Sequence, residues 1–431
     1  MLAAGTFGLS AATPVLAASL EEELAGLLLD HPSIRAAYKT VESSRQGIKH
    51  AKSAYYPQIS VSADVGQEVI NSPSERNQGD GQQGKPSSRT PQHVSLSVTQ
   101  NLFNGFATAS AVRTARLNKE LAQLTLEGTR QNTVLEGINA YVNLLRQKRL
   151  IELSRGNEAT IQQQLNLEDE RVQRGSGIAV DVLQAKSRLQ AAKERRVTFE
   201  GALEDAISRY TQSFNHPPDI DAMMDPVPPV EMVPSDLERA IDIAIVGNPA
   251  LGNSSVTIEV ARERKNTVRA ELYPSLNLAS SWNFEKNAGA VLGVRRDYSV
   301  ILTATWDLFT GFSTRNLLAQ ASFDIGASKD TYDFTTRKVV EQTKLAWQAL
   351  LTSRKRLELL ENAVNIASEV FSSRQKLREA GKETVINVLD AENEVNNTQL
   401  NFTSASYDER LTVYQLLLAM GLLNPGGLKL Y

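Results

Sequence analysis

After Pro57 the chain alternates strictly between apolar and polar residues: Ile59, Val61, Ala63 and Val65 are separated by Ser60, Ser62 and Asp64. A period of two sends the two sets to opposite faces of a β-strand. The alternation returns at Val94, Leu96 and Val98, with Ser95, Ser97 and Thr99 between them, leading into Leu102 and Phe103. It returns again at Leu276, Leu278, Trp282 and Phe284, and at Val300, Leu302, Ala304, Trp306 and Leu308. Each run is about ten residues long, enough to cross a bilayer at a tilt of roughly 45°. The hydrophilic segments 66–92 and 285–297 between the paired runs are expected to be hairpin tips.

Elsewhere the period changes to three and four. No proline occurs from Gly105 to Arg174 or from Gly311 to Ala380. In these stretches Leu135, Ile138, Val142 and Leu145, and Leu357, Leu360, Val364, Ala367 and Phe371, repeat with heptad spacing. A helix of about 68 residues is a rod on the order of 100 Å long, which no ordinary globular core requires. A glycine turn follows each rod. A second helix then returns, through Val182, Ala185, Leu189 and Ala192 in one case and Val388, Ala391, Val395, Thr398, Phe402 and Ala405 in the other.

The whole pattern is written twice. His31-Pro32 with Ile34 corresponds to Asn248-Pro249 with Leu251, and Tyr56-Pro57 to Tyr273-Pro274, both at an offset of 217 residues. At an offset of 206, NLFNGF (101–106) corresponds to DLFTGF (307–312), and Gly175, Val180, Val182 and Leu183 to Gly381, Ile386, Val388 and Leu389. Ordered landmarks of this kind indicate an internal repeat, and the prolines at 217, 218, 226, 228, 229 and 234 separate its copies. The expected division is a first repeat over 19–215, with a short helix, a strand hairpin (57–103) and a long helical hairpin (104–215). A Pro-rich linker follows (216–235), then a second repeat over 236–423 with strand hairpin 274–309 and helical hairpin 310–423, and a tail (424–431). Residues 1–18, small and apolar up to Ala17-Ala18, read as the remnant of an export signal peptide.

Composition removes several function classes. The formal charge is -3, from 46 Lys+Arg and 49 Asp+Glu, which makes no electrostatic case for nucleic acid. There is no Cys, and the four His at 31, 50, 93 and 216 lack ligand spacing, so neither a metal site nor a cofactor is expected. Gly79 to Lys85 imitate a phosphate-binding loop, but Pro86 stands where its Ser or Thr belongs and no helix follows. No acid–base pair or nucleophile constellation emerges, so the chain is not expected to be an enzyme. No run of 18 apolar residues exists either, so any membrane crossing falls to the strands.

Four strands with one apolar face cannot stand alone in a bilayer, because open edges leave backbone groups unpaired in hydrocarbon. Closure requires several chains: two give eight strands, three give twelve. Eight are filled by their own side chains, and twelve is the smallest multiple that leaves a lumen.

The order of N/H-P, Y-P, strand hairpin, x-L-F-x-G-F, long helix, glycine turn and V-[DN]-V-L-[QD]-A, given twice, resembles the TolC family of outer-membrane efflux and type I secretion channels. The resemblance implies an α+β membrane channel: a trimeric 12-stranded β-barrel, four strands per chain, continued by a long α-helical coiled-coil tunnel in the periplasm of a Gram-negative bacterium. It also implies partners, namely a periplasmic adaptor (membrane-fusion) protein, an inner-membrane ABC or proton-driven transporter and outer-membrane lipid. The cargo would be secreted proteins, small toxic compounds or both.

By the same resemblance the tunnel closes at the helix tips on two aspartates three residues apart, here Asn387 and Asp390, so that one of the two is an amide. Asp181 occupies the equivalent of Asn387 in the first copy, and its usual arginine partner falls at Glu383, leaving Lys382 as a stand-in. The turns at Arg174, Gly175 and Gly177 and at Gly381, Lys382 and Glu383 are expected to dock the adaptor. Phe103, Gly105, Phe309 and Gly311 mark strand–helix junctions. The alternatives are a soluble coiled-coil scaffold, which leaves the strands unexplained, and the adaptor itself, which would carry one helical hairpin and not two.

Overall fold

A computed structural model describes residues 19–71, 73, 87–289, 292–424 and 426. The signal-like stretch 1–18, the phosphate-loop lookalike, much of the tip 66–92 and most of the tail lie outside the described residues.

The first copy opens with helix α1 (Leu20–Asp30), capped by the Ser19 hydroxyl and Glu22 carboxylate in a reciprocal box, and α2 (Pro32–Ser53). The second opens with α5 (Leu237–Gly247) and α6 (Pro249–Arg269). The H-P and N-P landmarks are therefore helix starts. Proline at the first helical position loses no internal hydrogen bond, and the Asn248 side chain caps the Ala250 amide at 2.9 Å. The Y-P landmarks end these helical segments, since Tyr273 before Pro274 is extended.

Strands β1 (Gln58–Val65) and β4 (Gln92–Asn104) follow in the first copy, and β5 (Ser275–Lys286) and β6 (Val294–Thr305) in the second. They form one antiparallel sheet in the order β1-β4-β5-β6. Two details depart from the sequence expectation. Short strands β2 (Glu68–Ile70) and β3 (Ser87–Arg89) extend the first hairpin as a separate ribbon inside the segment expected to be loop. Trp306 and Leu308, which the alternation puts in a strand, lie beyond the end of β6 at Thr305. The cause is pairing: β4 reaches Asn104 against Ser275, whereas β5 begins at Ser275 opposite Thr305 and offers β6 nothing further. Trp306 Nε1 instead donates to the Leu272 carbonyl at 3.1 Å.

The long helices are α3 (Ala107–Gln173) and α7 (Ser313–Glu379), each 67 residues, returning as α4 (Ala179–Phe214) and α8 (Val385–Ala419). No helix among the described residues is apolar enough to cross a membrane.

Packing divides the chain into two compact units that cut across the repeats. One holds the sheet with Lys39–Gln123 and Asn253–Asp333; the other holds residues up to Tyr38, Leu124–Gly252 and Phe334 onward. Inside the second, Val134, Ile138, Tyr141, Val142 and Leu144 are fully buried. Gly137 lets α1 lie against α3, because a Cβ there would meet Leu27 Cδ1 at 2.8 Å. Prolines keep the linker 216–235 from forming an α-helix, and beyond a 3-10 turn at Val230–Met232 and a few local backbone bonds its backbone is satisfied by side chains. Tyr141 Oη donates to the Met224 carbonyl and accepts from its amide, and Lys148 Nζ donates to the Ile220 carbonyl. Tyr407 and Arg410 both donate to Asp225 at 2.9 Å.

Candidate channel wall and helix tip

The register of the sheet turns the alternating pattern into two contrasting surfaces. On one face Ser60, Ser97, Ser281 and Ser299 form a row across all four strands, with hydroxyl contacts of 2.6 Å (Ser60–Ser97) and 2.9 Å (Ser281–Ser299). The next row is Ser62, Ser95, Asn283 and Asp297, joined by Ser62–Ser95 at 2.8 Å and an Asn283 amide donating to Asp297 at 3.2 Å. The row after that, Asp64, His93, Glu285 and Arg295, carries charge of both signs. His93 lies 3.8 Å from Glu285, and Arg295 lies 3.4 Å from Asp297. The opposite face carries Ile59, Val61, Leu96, Trp282, Tyr298, Val300 and Leu302, all exposed in the single chain. Leaving such a face in water is costly, at about 25 cal/mol per Å².

Where strand gives way to helix, the two copies adopt the same conformation. Gly105 and Phe106 have φ of 62° and 70°, and Gly311 and Phe312 have 61° and 64°. Two consecutive left-handed residues reverse the chain, and the first tolerates this because it is glycine. Phe103 stacks edge-to-face on Phe106 at 5.3 Å, and Phe309 on Phe312 at 5.4 Å. The residue between Phe and Gly caps the helix. Asn104 Oδ1 accepts from the Thr108 amide at 3.2 Å, and Thr310 Oγ1 from the Thr314 amide at 3.5 Å. That polar position was a readable capping signal which the sequence reading passed over.

At the far end of the rods Gly175 and Gly381, at φ 76° and 72°, close the helices. In each, two backbone amides reach back to the last turn: Gly175 to Val172 and Ser176 to Arg171, Gly381 to Arg378 and Lys382 to Leu377. A Cβ on Gly177 would meet the Val172 nitrogen at 2.8 Å. Arg174 pairs within its own helix with Glu170 at 3.1 Å. Glu383 accepts from the Asn387 side chain and from the Thr384 amide, which hold its carboxyl below the usual range. Asn387 is thus engaged locally, and its own amide is capped by Thr384 Oγ1 at 3.4 Å. Asp181 lies in the first turn of α4, and among the described residues no ion pair joins it to Lys382.

Asp390 has a partner that the sequence did not announce. Arg188 of α4 donates to its Oδ1 at 2.5 Å, and seven residues on Arg195 donates to Asn397 at 2.8 Å, so α4 and α8 are laddered at heptad spacing. Arg378 sits between turn and rod, donating to the Glu383 carbonyl and to both oxygens of buried Glu168 at 3.2 Å. Glu392 was also missed. Only 6% exposed, it follows the buried Val385 and Leu389 on the core seam of α8, with no hydrogen bond to either carboxylate oxygen. Burial pushes its pKa up to about 7, and the Gln164 side chain offsets only part of that effect. A carboxylate at a 4-3-4 core position was legible in the sequence.

With this geometry in hand, comparison with known proteins is specific. The family described as "Outer membrane efflux protein" matches the chain over residues 24–215 and again over 240–422, once per copy of the repeat. The Outer membrane efflux protein BepC of Brucella suis is 24% identical, covering 94% of this chain and 86% of BepC. The Alkaline protease secretion protein AprF of Pseudomonas aeruginosa is 24% identical over 94% of this chain and 84% of AprF. The crystal structure of the Campylobacter jejuni CmeC outer membrane channel superposes with a TM-score of 0.79 at 14% identity, covering 95% of this chain and 86% of CmeC. Two copies of strand hairpin and helical hairpin, matched by the family along nearly the whole chain, identify the protein as a member of the outer membrane efflux protein family, a family of transport channels, and as an exit duct of the bacterial outer membrane.

Proposed function

We propose that three copies of the chain assemble into one duct, a 12-stranded barrel in the outer membrane continued by a helical tunnel in the periplasm. The observation that carries this is the four-stranded sheet: β1 and β6 end it with unpaired edges, one face is apolar and the other is crossed by rows of serine. Closure with two further copies pairs every edge, turns the apolar face to lipid and lines the lumen with hydroxyls.

The exposed side of α7 supports the same assembly. Phe323, Phe334 and Leu345 recur every eleven residues, and Leu359 and Ile366 are spaced by seven, all exposed in the single chain. An 11-residue period is nearly straight or right-handed, and a 7-residue period is left-handed. Such a stripe suits a neighbouring copy's helices, wrapped as a cylinder and then as a coiled coil.

Cargo enters from an inner-membrane transporter, ABC or proton-driven, through a periplasmic adaptor that docks on the turns around Arg174, Gly175 and Gly177 and around Gly381, Lys382 and Glu383. BepC is named for efflux and AprF for protease secretion, so both small toxic compounds and proteins are within this reading. No chemical step is part of it. Asp390, Asn387 and Asp181 line the closed tip, and Arg188 holds part of the Asp390 charge.

The test is conductance in planar bilayers. The wild type should form channels that multivalent cations block from the tip side, and Asp390→Asn should weaken that block. Arg188→Gln should tighten it about fivefold, the roughly 1 kcal/mol of an exposed ion pair. Absence of channels would reject the duct, and block unaffected by either substitution would reject the tip assignment.

A further inference from the structure

The charged residues of the sheet are treated differently on its two faces. On the serine face, among the described residues, Arg295 has Asp297 beside it, and His93 lies 3.8 Å from Glu285. On the apolar face, at the hairpin end, Lys286 and Arg296 have no ion pair among the described residues, although both are exposed. Lys286 is opposite Val294 and Arg296 opposite Phe284, so the two are diagonal neighbours, about 7–8 Å apart. The surrounding positions of the same face, Val65, Gln92, Val94 and Val294, carry no charge. The Arg296 guanidinium lies over the ring of Phe284, its direct cross-strand neighbour, at 5.8 Å. Directly below are Trp282 and Tyr298, paired across β5 and β6.

The position of this pair along the strand matters. From Leu276, at the helix end of β5, to Lys286 is ten residues. At about 3.3 Å per residue and a tilt of roughly 40°, that is on the order of 25 Å of height, the thickness of the apolar band of an outer-membrane barrel. The aromatic pair then falls at the interface and the two cations at the level of lipid headgroups in the outer leaflet.

We propose that Lys286 and Arg296 form a binding site for the phosphate of an outer-leaflet lipid headgroup, three per assembled barrel. The proposal rests on the barrel reading above. Two adjacent cations on a lipid-facing surface with no carboxylate of their own are stabilised by an anionic headgroup, and an arginine fork suits phosphate oxygens. A bound lipid also covers β6 where it meets the neighbouring copy.

The experiment uses the full-length protein in nanodiscs of phosphatidylcholine doped with bis-phosphorylated lipid A, with retained lipid counted by native mass spectrometry. Lys286→Gln and Arg296→Gln should each weaken retention about fivefold, and the double variant on the order of 25-fold. Arg295→Gln, one residue away on the opposite face, should leave retention unchanged and shows whether charge loss alone is at work. Lipid A stripped of its phosphates should not be retained, and inorganic phosphate should not displace the intact lipid. Wild-type retention in the double variant, an equal loss in Arg295→Gln, equal retention of the stripped lipid, or displacement by inorganic phosphate would each overturn the site. A protein that does not enter the discs would remove the barrel itself, and the headgroup site with it.

Discussion

Gly105→Ala should destabilise the folded chain by about 3–5 kcal/mol, whereas Gly311→Ala should cost about 1–2 kcal/mol, although both residues occupy the same motif. Both have φ near +60°, where any side chain is strained, and that component is common to the two. The difference is what a Cβ would meet. At Gly105 it would lie 2.2 Å from the Ala270 carbonyl oxygen and 2.9 Å from Tyr273 Cβ; at Gly311 nothing lies within 4 Å. The Ala270 carbonyl accepts from the Tyr273 amide and belongs to the short helical turn Ala270–Leu272 ahead of Pro274, so it cannot swing aside. Thermal melts of the helical signal, together with the yield of membrane-extracted protein, measure both variants. Equal losses would contradict the close approach that distinguishes the first junction from the second.

Glu392 should make the helix tips less stable as pH rises from about 4.5 to about 7. Its native pKa is near 7 against an ordinary 4.5, so over that range the folded chain holds a proton that the unfolded chain has lost. Stability then falls with increasing pH, by roughly 3 kcal/mol across the window. No charged neighbour contributes to the shift, and the arginines of the tip are engaged elsewhere. Arg188 is engaged by Asp390, Arg378 by Glu168 and the Glu383 carbonyl, and Arg374 by the Asn387 carbonyl. Glu392→Gln should flatten the profile, and Glu392→Leu should be more stable than the wild type at pH 8, where an ionised carboxylate would be buried with no hydrogen-bond partner at either oxygen. Melts at pH 5 and pH 8 decide the matter, and an identical slope in the glutamine variant would sink it.

The periodicities carried most of the fold. Alternation located all the long strands because each has one apolar face, and proline-free heptads located both rods. What failed were properties that belong to pairs of strands or helices and not to a single stretch. The end of β6 depends on where β5 begins, so Trp306 and Leu308 read as strand and are not. The β2–β3 ribbon has too few residues to show a period. At the tip, Asp390 was visible as a residue, but its ion pair is with Arg188, 202 residues away and brought near only by the packing of α4 on α8. Asn104 and Thr310 were legible as caps and were read only as filler inside the Leu-Phe-x-Gly-Phe motif.

The proposed duct rests on one physical requirement: a four-stranded sheet with an apolar face and two open edges needs further strands to close it in a bilayer, and the proposal draws them from other copies of the chain. Multi-angle light scattering of the detergent-solubilised protein, corrected for bound detergent, measures this directly. The predicted protein mass is three times that of one mature chain, which is 47.3 kDa less the signal-like residues 1–18, extracted from the outer membrane. A monomer that remains in water without detergent would contradict the account.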